Sequence, residues 1–77
     1  MNTKFDHAKK YMVNETILSC RNHPWVILET KDKTYVSRVV KKLTYGKIVK
    51  VYALQDGYMK ISRFRNHWVK CSGLTEV

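Results

Sequence analysis

Two cysteine–histidine pairs are the residues most readily given a chemistry. Cys20-Arg21-Asn22-His23 and His67-Trp68-Val69-Lys70-Cys71 carry the short spacings with which paired ligands grip zinc, and Cys20, His23, His67 and Cys71 together would make a Cys2His2 set. The long gap between the two pairs is unlike a compact zinc module, and a lone cysteine commonly serves as a small core hydrophobe. No metal is therefore expected. A cysteine–histidine nucleophile would need a third orienting group and a site that excludes water, and the residues around Cys20 and His23 offer neither. The six carboxylates, Asp6, Glu15, Glu29, Asp32, Asp56 and Glu76, form no close pair for acid–base work. No glycine-rich phosphate loop is present. The expectation is a protein that is not an enzyme and holds no cofactor.

The second constellation is basic and aromatic. Fifteen Lys and Arg oppose six Asp and Glu, for a net charge of +9. Lys41, Lys42, Lys47, Lys50, Lys60, Arg63, Arg65, His67 and Lys70 crowd the second half, with Tyr45, Tyr52, Tyr58, Phe64 and Trp68 among them. Cations meet phosphates and flat rings stack on bases, which suits nucleic acid. The same set suits an acidic peptide, because Tyr, Trp and Arg are common interface anchors. The plainest alternative is a solvated basic surface that only keeps the chain soluble. The candidate ligand-binding residues are Tyr45, Lys50, Tyr52, Tyr58, Lys60, Arg63, Arg65, Trp68 and Lys70.

Short strands must position these residues. Residues 16–20, 25–30, 35–43, 48–53, 58–62 and 67–71 read as β-formers, separated by turns at Arg21–Pro24, Lys31–Lys33, Thr44–Gly46, Gln55–Gly57 and Arg63–Asn66. Asp56-Gly57 supplies the positive φ that a tight hairpin needs. Alternation sends Lys50, Tyr52, Tyr58, Lys60, Trp68 and Lys70 outward, and Val49, Val51, Met59, Ile61, Val69 and Cys71 inward. Each outward residue also has a purely structural use. Tyr52 and Tyr58 could be a cross-strand pair, Arg63 and Arg65 a solvated tip, and Trp68 a half-buried ring at a barrel edge. Trp25 reads as core. Residues 1–10 are polar and read as a flexible basic arm, leaving 11–77 as one domain. A domain this small buries only about 60–65% of its unfolded surface, which leaves little room for a cleft.

Four segments, in order, resemble the bacterial-type SH3 domain. They are Leu18-Ser19-Cys20-Arg21-Asn22-His23-Pro24; the run from Val39-Val40-Lys41-Lys42-Leu43 through Gly46 to Val51; Gly57-Tyr58-Met59-Lys60-Ile61; and Trp68-Val69-Lys70-Cys71-Ser72-Gly73-Leu74-Thr75. The resemblance covers roughly residues 11–76. His23 and His67 stand where that family has glycine, Tyr58 stands for tryptophan, and the stretch between Pro24 and Val39 is longer and more apolar than usual. The resemblance implies an all-β, SH3-like barrel of five to seven short strands without catalysis, and a protein or peptide ligand. Related small barrels bind nucleic acid.

The expected partner is thus a protein or peptide, acidic given the charge, with nucleic acid as the alternative. Residues 1–10 hold no apolar signal segment, and the longest apolar run, Trp25-Val26-Ile27-Leu28, is too short to span a bilayer. No membrane insertion is expected. A cytoplasmic location is expected, unless the chain is excised from a longer one.

Overall fold

The β-formers emerge as nine strands in the computed structural model, which describes residues 3–77. They are β1 (Thr3–Val13), β2 (Ile17–Arg21), β3 (Ile27–Glu29), β4 (Thr34–Val36), β5 (Val39–Thr44), β6 (Ile48–Gln55), β7 (Tyr58–Lys60), β8 (Trp68–Lys70) and β9 (Leu74–Glu76), with a single 3₁₀ turn at Cys71–Gly73. Seven of them form one antiparallel sheet in the order β5-β2-β8-β7-β6-β1-β9, while β3 and β4 pair only with each other.

One apolar cluster explains why the sheet is curved. Val13, Leu18, Cys20, Leu43, Val49, Val51, Met59, Val69 and Leu74 are buried together, and every strand of the large sheet contributes to them. A flat sheet could not bring all seven strands to one small core, so the sheet rolls around it. The end strands β5 and β9 do not pair, which leaves the hydrogen-bonded sheet open along that seam. The all-β class expected from the alternation is the one observed. Val49, Val51, Met59 and Val69 all face the core, and Ile61 and Cys71 pack against it half-buried.

The N-terminal segment differs from its expectation. Residues 3–10 belong to the longest strand and do not form an arm; Met1 and Asn2 lie outside the described residues. The segment is polar and lacks strict alternation, and its pairing is irregular. Lys4 is opposite Ala53 and Lys9 is opposite Val51, so the residues between them bulge out of register. Phe5 and Tyr11 still reach the core edge.

The partner strand β6 slips phase at the same place. Val49 and Val51 point inward, but so does Leu54, whereas Ala53 lies opposite Lys4 and Lys60 on the outer face. The inserted stretch is the hairpin β3–β4, closed by the Thr30 hydroxyl, which accepts from the Lys33 amide at 3.1 Å. Ile27 opposes Val36, and Leu28 opposes Tyr35, so both faces of the hairpin carry exposed apolar side chains. The expected strand over residues 35–43 breaks at Ser37-Arg38. There Ser37 donates its amide to Val26 while Arg38 bonds Asn22, which separates β4 from β5. Asp56 and Gly57 take φ of 51° and 80°, the left-handed pair that closes β6 onto β7.

Candidate functional site

Residues directly opposite one another on paired strands share a face of the sheet. Following the pairs across five strands gives Arg21 on β2, Trp68 on β8, Lys60 on β7, Ala53 on β6 and Lys4 on β1. Met59 and Val69 alternate with this row and point into the core, so the row lies on the outside. A second row beside it runs Lys70, Tyr58 and Gln55. The outer face thus gathers four cations around two rings, with no carboxylate in either row.

Trp68 forms the floor of this face. It is only 7% exposed, yet it stands apart from the apolar core cluster. The Lys60 ammonium lies over the indole at 5.9 Å from the ring centre. Two adjoining hollows flank the Lys4–Ala53–Lys60 ridge. One, of about 290 Å³, reaches Leu54 and Trp68; the other, of about 330 Å³, reaches Phe5, Tyr52 and Arg63 and includes Asp6.

Arg21 is the best-fixed cation. Its Nη1 donates to the Ser37 carbonyl and to the Ser37 hydroxyl, each at 3.1 Å. Ser37 is itself 4% exposed, so the guanidinium is clamped from behind. Nε and Nη2 have no protein acceptor among the described residues. The ion pair between Lys70 and Glu15, 3.3 Å, is the single one among the described residues. The other basic side chains have no close carboxylate partner among the described residues, and the net charge of +9 leaves a positive field over the surface.

Of the sequence-predicted site residues, Tyr58, Lys60, Trp68 and Lys70 come together on this face. Tyr52 and Arg63 line its outer hollow. Arg65 lies in the loop between β7 and β8, next to Phe64, which is 88% exposed and sits 6.0 Å beneath the Arg63 guanidinium. Lys50 lies on the far half of β6, directly opposite Lys10. Tyr45 sits apart, at the exposed turn between β5 and β6. Trp68 lies on the outward row that alternation gives it, but its ring is buried, further than the half-buried edge position read from the sequence. Lys4 and Arg21 are additions. Lys4 is hidden in a segment that reads as an arm and Arg21 in one that reads as a turn, and only strand register places them beside Trp68.

The cysteines and histidines serve locally. Cys20 is wholly buried in the apolar cluster, and burial pushes its thiol up, against smaller opposing effects of Lys41 and of a bond with the Trp68 backbone. His23 stacks on Trp25 with ring centres 4.6 Å apart and planes within 6°. His67 is held below the usual imidazole range by burial and then by Lys41 and Arg65. Among the described residues, no three His, Cys, Asp or Glu side chains gather as metal ligands, and no helix is long and apolar enough to cross a membrane. Comparison of the chain with protein-family models, with curated proteins and with solved structures returns no match.

Proposed function

We propose that this protein is a non-catalytic binding module that holds an acidic segment of a partner protein across the outer face of β1, β6, β7, β8 and β2. The observation that carries the reading is the continuous row Lys4–Ala53–Lys60–Trp68–Arg21, with cations at both ends and its middle and no carboxylate between them. Neighbouring strands lie about 4.8 Å apart, so the row spans about 19 Å, the reach of roughly six extended residues. The covered Trp68 favours a peptide over single-stranded nucleic acid, because no ring in the row is open for a base to stack on. The apolar flanks at Ala53, Leu54 and the indole edge suit the side chains of a peptide that alternates acidic and apolar residues. The bacterial SH3-like reading of the motifs agrees with a binding role.

Nucleic acid is the second reading, and one observation favours it. Lys10 and Lys50 face each other outside the row, where a short peptide would not reach but a phosphate backbone would.

Fluorescence anisotropy with an acidic, aliphatic peptide and with a single-stranded oligonucleotide of the same charge separates the two. The peptide should bind tighter, and Lys60→Ala and Lys4→Ala should each weaken it several-fold while Lys47→Ala, in the β5–β6 turn, does not. Tighter oligonucleotide binding, with log affinity falling linearly in log salt and equal losses from Lys10→Ala and Lys60→Ala, would overturn the peptide reading. Binding of neither would overturn both.

A further inference from the structure

The sheet is split beside Arg21. Strands β2 and β8 share a single pair, Arg21 with Trp68. Continued by two residues, that register would pair Ser19 with Lys70, and no such pair forms. The backbone groups that would make it still face each other. Tyr45 donates to the Thr16 carbonyl, so Thr16, Leu18 and Cys20 turn toward β5 while Ile17 and Ser19 turn toward β8. Ile61 donates to His67 and Cys71 to Gly57, so alternate residues of β8 turn toward β7, while Trp68 and Lys70 turn toward β2. The gap is a groove of about 230 Å³ lined by Ile17, Leu18, Ser19, Val26, Tyr58 and Lys70, with Arg21 at its end. The Arg21–Trp68 pair closes one end, and the Lys70–Glu15 ion pair stands at the other.

We infer that this split receives the C-terminal carboxylate of the partner chain, together with an apolar last side chain. The inference rests on the peptide reading above and names where that peptide ends. A passing chain would have to open the Arg21–Trp68 pair, so an end fits where a through-going strand does not. The walls present both N–H and C=O groups. A chain terminus offers its carboxylate to the amides and its own amide to the carbonyls, whereas a side-chain carboxylate answers only the first. The Arg21 guanidinium, anchored through Nη1 to Ser37, turns its remaining donors to the same negative group. Ile17 and Val26, both exposed, give the last side chain an apolar seat. Glu15 offsets Lys70, so the local charge balances one carboxylate and not two. The volume lies below that of most small-molecule pockets, in keeping with the end of a chain.

The test compares three forms of one acidic peptide: ending in free-acid leucine, ending in leucine amide, and ending in free-acid lysine. The free-acid leucine form should bind at least tenfold tighter than the amide and several-fold tighter than the lysine form. In ¹H–¹⁵N spectra both free-acid forms should shift the Ser19 and Lys70 amides, and the leucine amide should not. Those spectra need no variant, and Arg21→Gln, which keeps a polar group near Ser37, should abolish the difference between acid and amide. Equal affinity of acid and amide would overturn the inference and leave the acidic-segment reading intact. Failure of all three to bind would overturn both.

Discussion

The cross-strand pair Lys10–Lys50 offers a measurement of how far this chain is built for an anion and not for its own stability. Val13 donates to the Lys47 carbonyl, which fixes the phase of the β1–β6 ladder. Counting back along the register, Tyr11–Val49 is a hydrogen-bonded pair and Lys10–Lys50 a non-hydrogen-bonded one, the kind whose side chains come closest. Like charges directly opposite destabilise by the same few tenths to one kcal/mol that opposite charges contribute. Lys50→Glu removes the first effect and adds the second. With both side chains exposed, solvent screening holds the swing to about 1 kcal/mol. In a domain of this size that raises Tm by roughly 4–8 °C. Thermal melts at low salt should show the rise, and Lys50→Gln should show about half of it. In 1 M salt, where the Debye length is about 3 Å, most of the gain should vanish. An unchanged or lower Tm at low salt, or a gain that survives 1 M salt, would refute the electrostatic account of this pair.

Three other outcomes follow from the packing. Gly73→Ala should cost about 1–3 kcal/mol in urea melts, because its Cβ would overlap the fully buried Leu18 Cδ1 and stand 2.8 Å from Glu15 Oε2; adding Leu18→Ala should make the double variant less unstable than the two separate losses imply. Trp68→Ala should cost about 3–5 kcal/mol in the same assay, as a buried aromatic does, where a ring left open for stacking would cost far less. Cys20 has its folded pKa raised, so its contribution to stability is complete below the unfolded thiol value of 9.0 and is lost as pH climbs through the folded value, with Tyr11 adding to the loss above 10.0; melts across the alkaline range should show the fall, and Cys20→Val should lessen it.

The strands from β6 to β8 were legible because their signals are local. Alternating side chains sort Val49, Val51, Met59 and Val69 from Lys50, Lys60 and Lys70, and Asp56-Gly57 marks the turn between them. The hairpin at residues 27–36 was legible as two β-rich runs around Lys31-Asp32-Lys33, although its exposure was not: Trp25 stacks half-buried on His23 and is no part of the core. β1 was illegible for a physical reason. Its stretch before Tyr11 pairs with β6 alone and irregularly, β9 being paired only with Tyr11–Val13, so it runs along an edge of the sheet where Lys9 and Lys10 both stay in water and few apolar residues are needed. Arg21 was illegible because its position depends on a pair with Trp68 across a large loop in the chain, and its orientation on Ser37 behind it.

The phase slip in β6 connects the fold to the face. Had strict alternation continued from Val51, Ala53 would point inward, and its partners Lys4 and Lys60 would be forced toward the core with it. Burying two unpaired ammonium groups costs several kcal/mol each even after relaxation. It would also turn Leu54 and Met59 out into water, giving up about 1.5–3 kcal/mol for each side chain. No packing in so small a core offsets both, so the irregularity on β1 between Lys4 and Lys9 is the cheaper solution. Its by-product is a row in which Lys4 and Lys60 stand on either side of Ala53, beside the ring of Trp68. The irregularity that keeps lysine out of the core is therefore also what lines cations up on one face, and straightening it by removing a residue from the 5–8 segment should disrupt the core and the cationic row together.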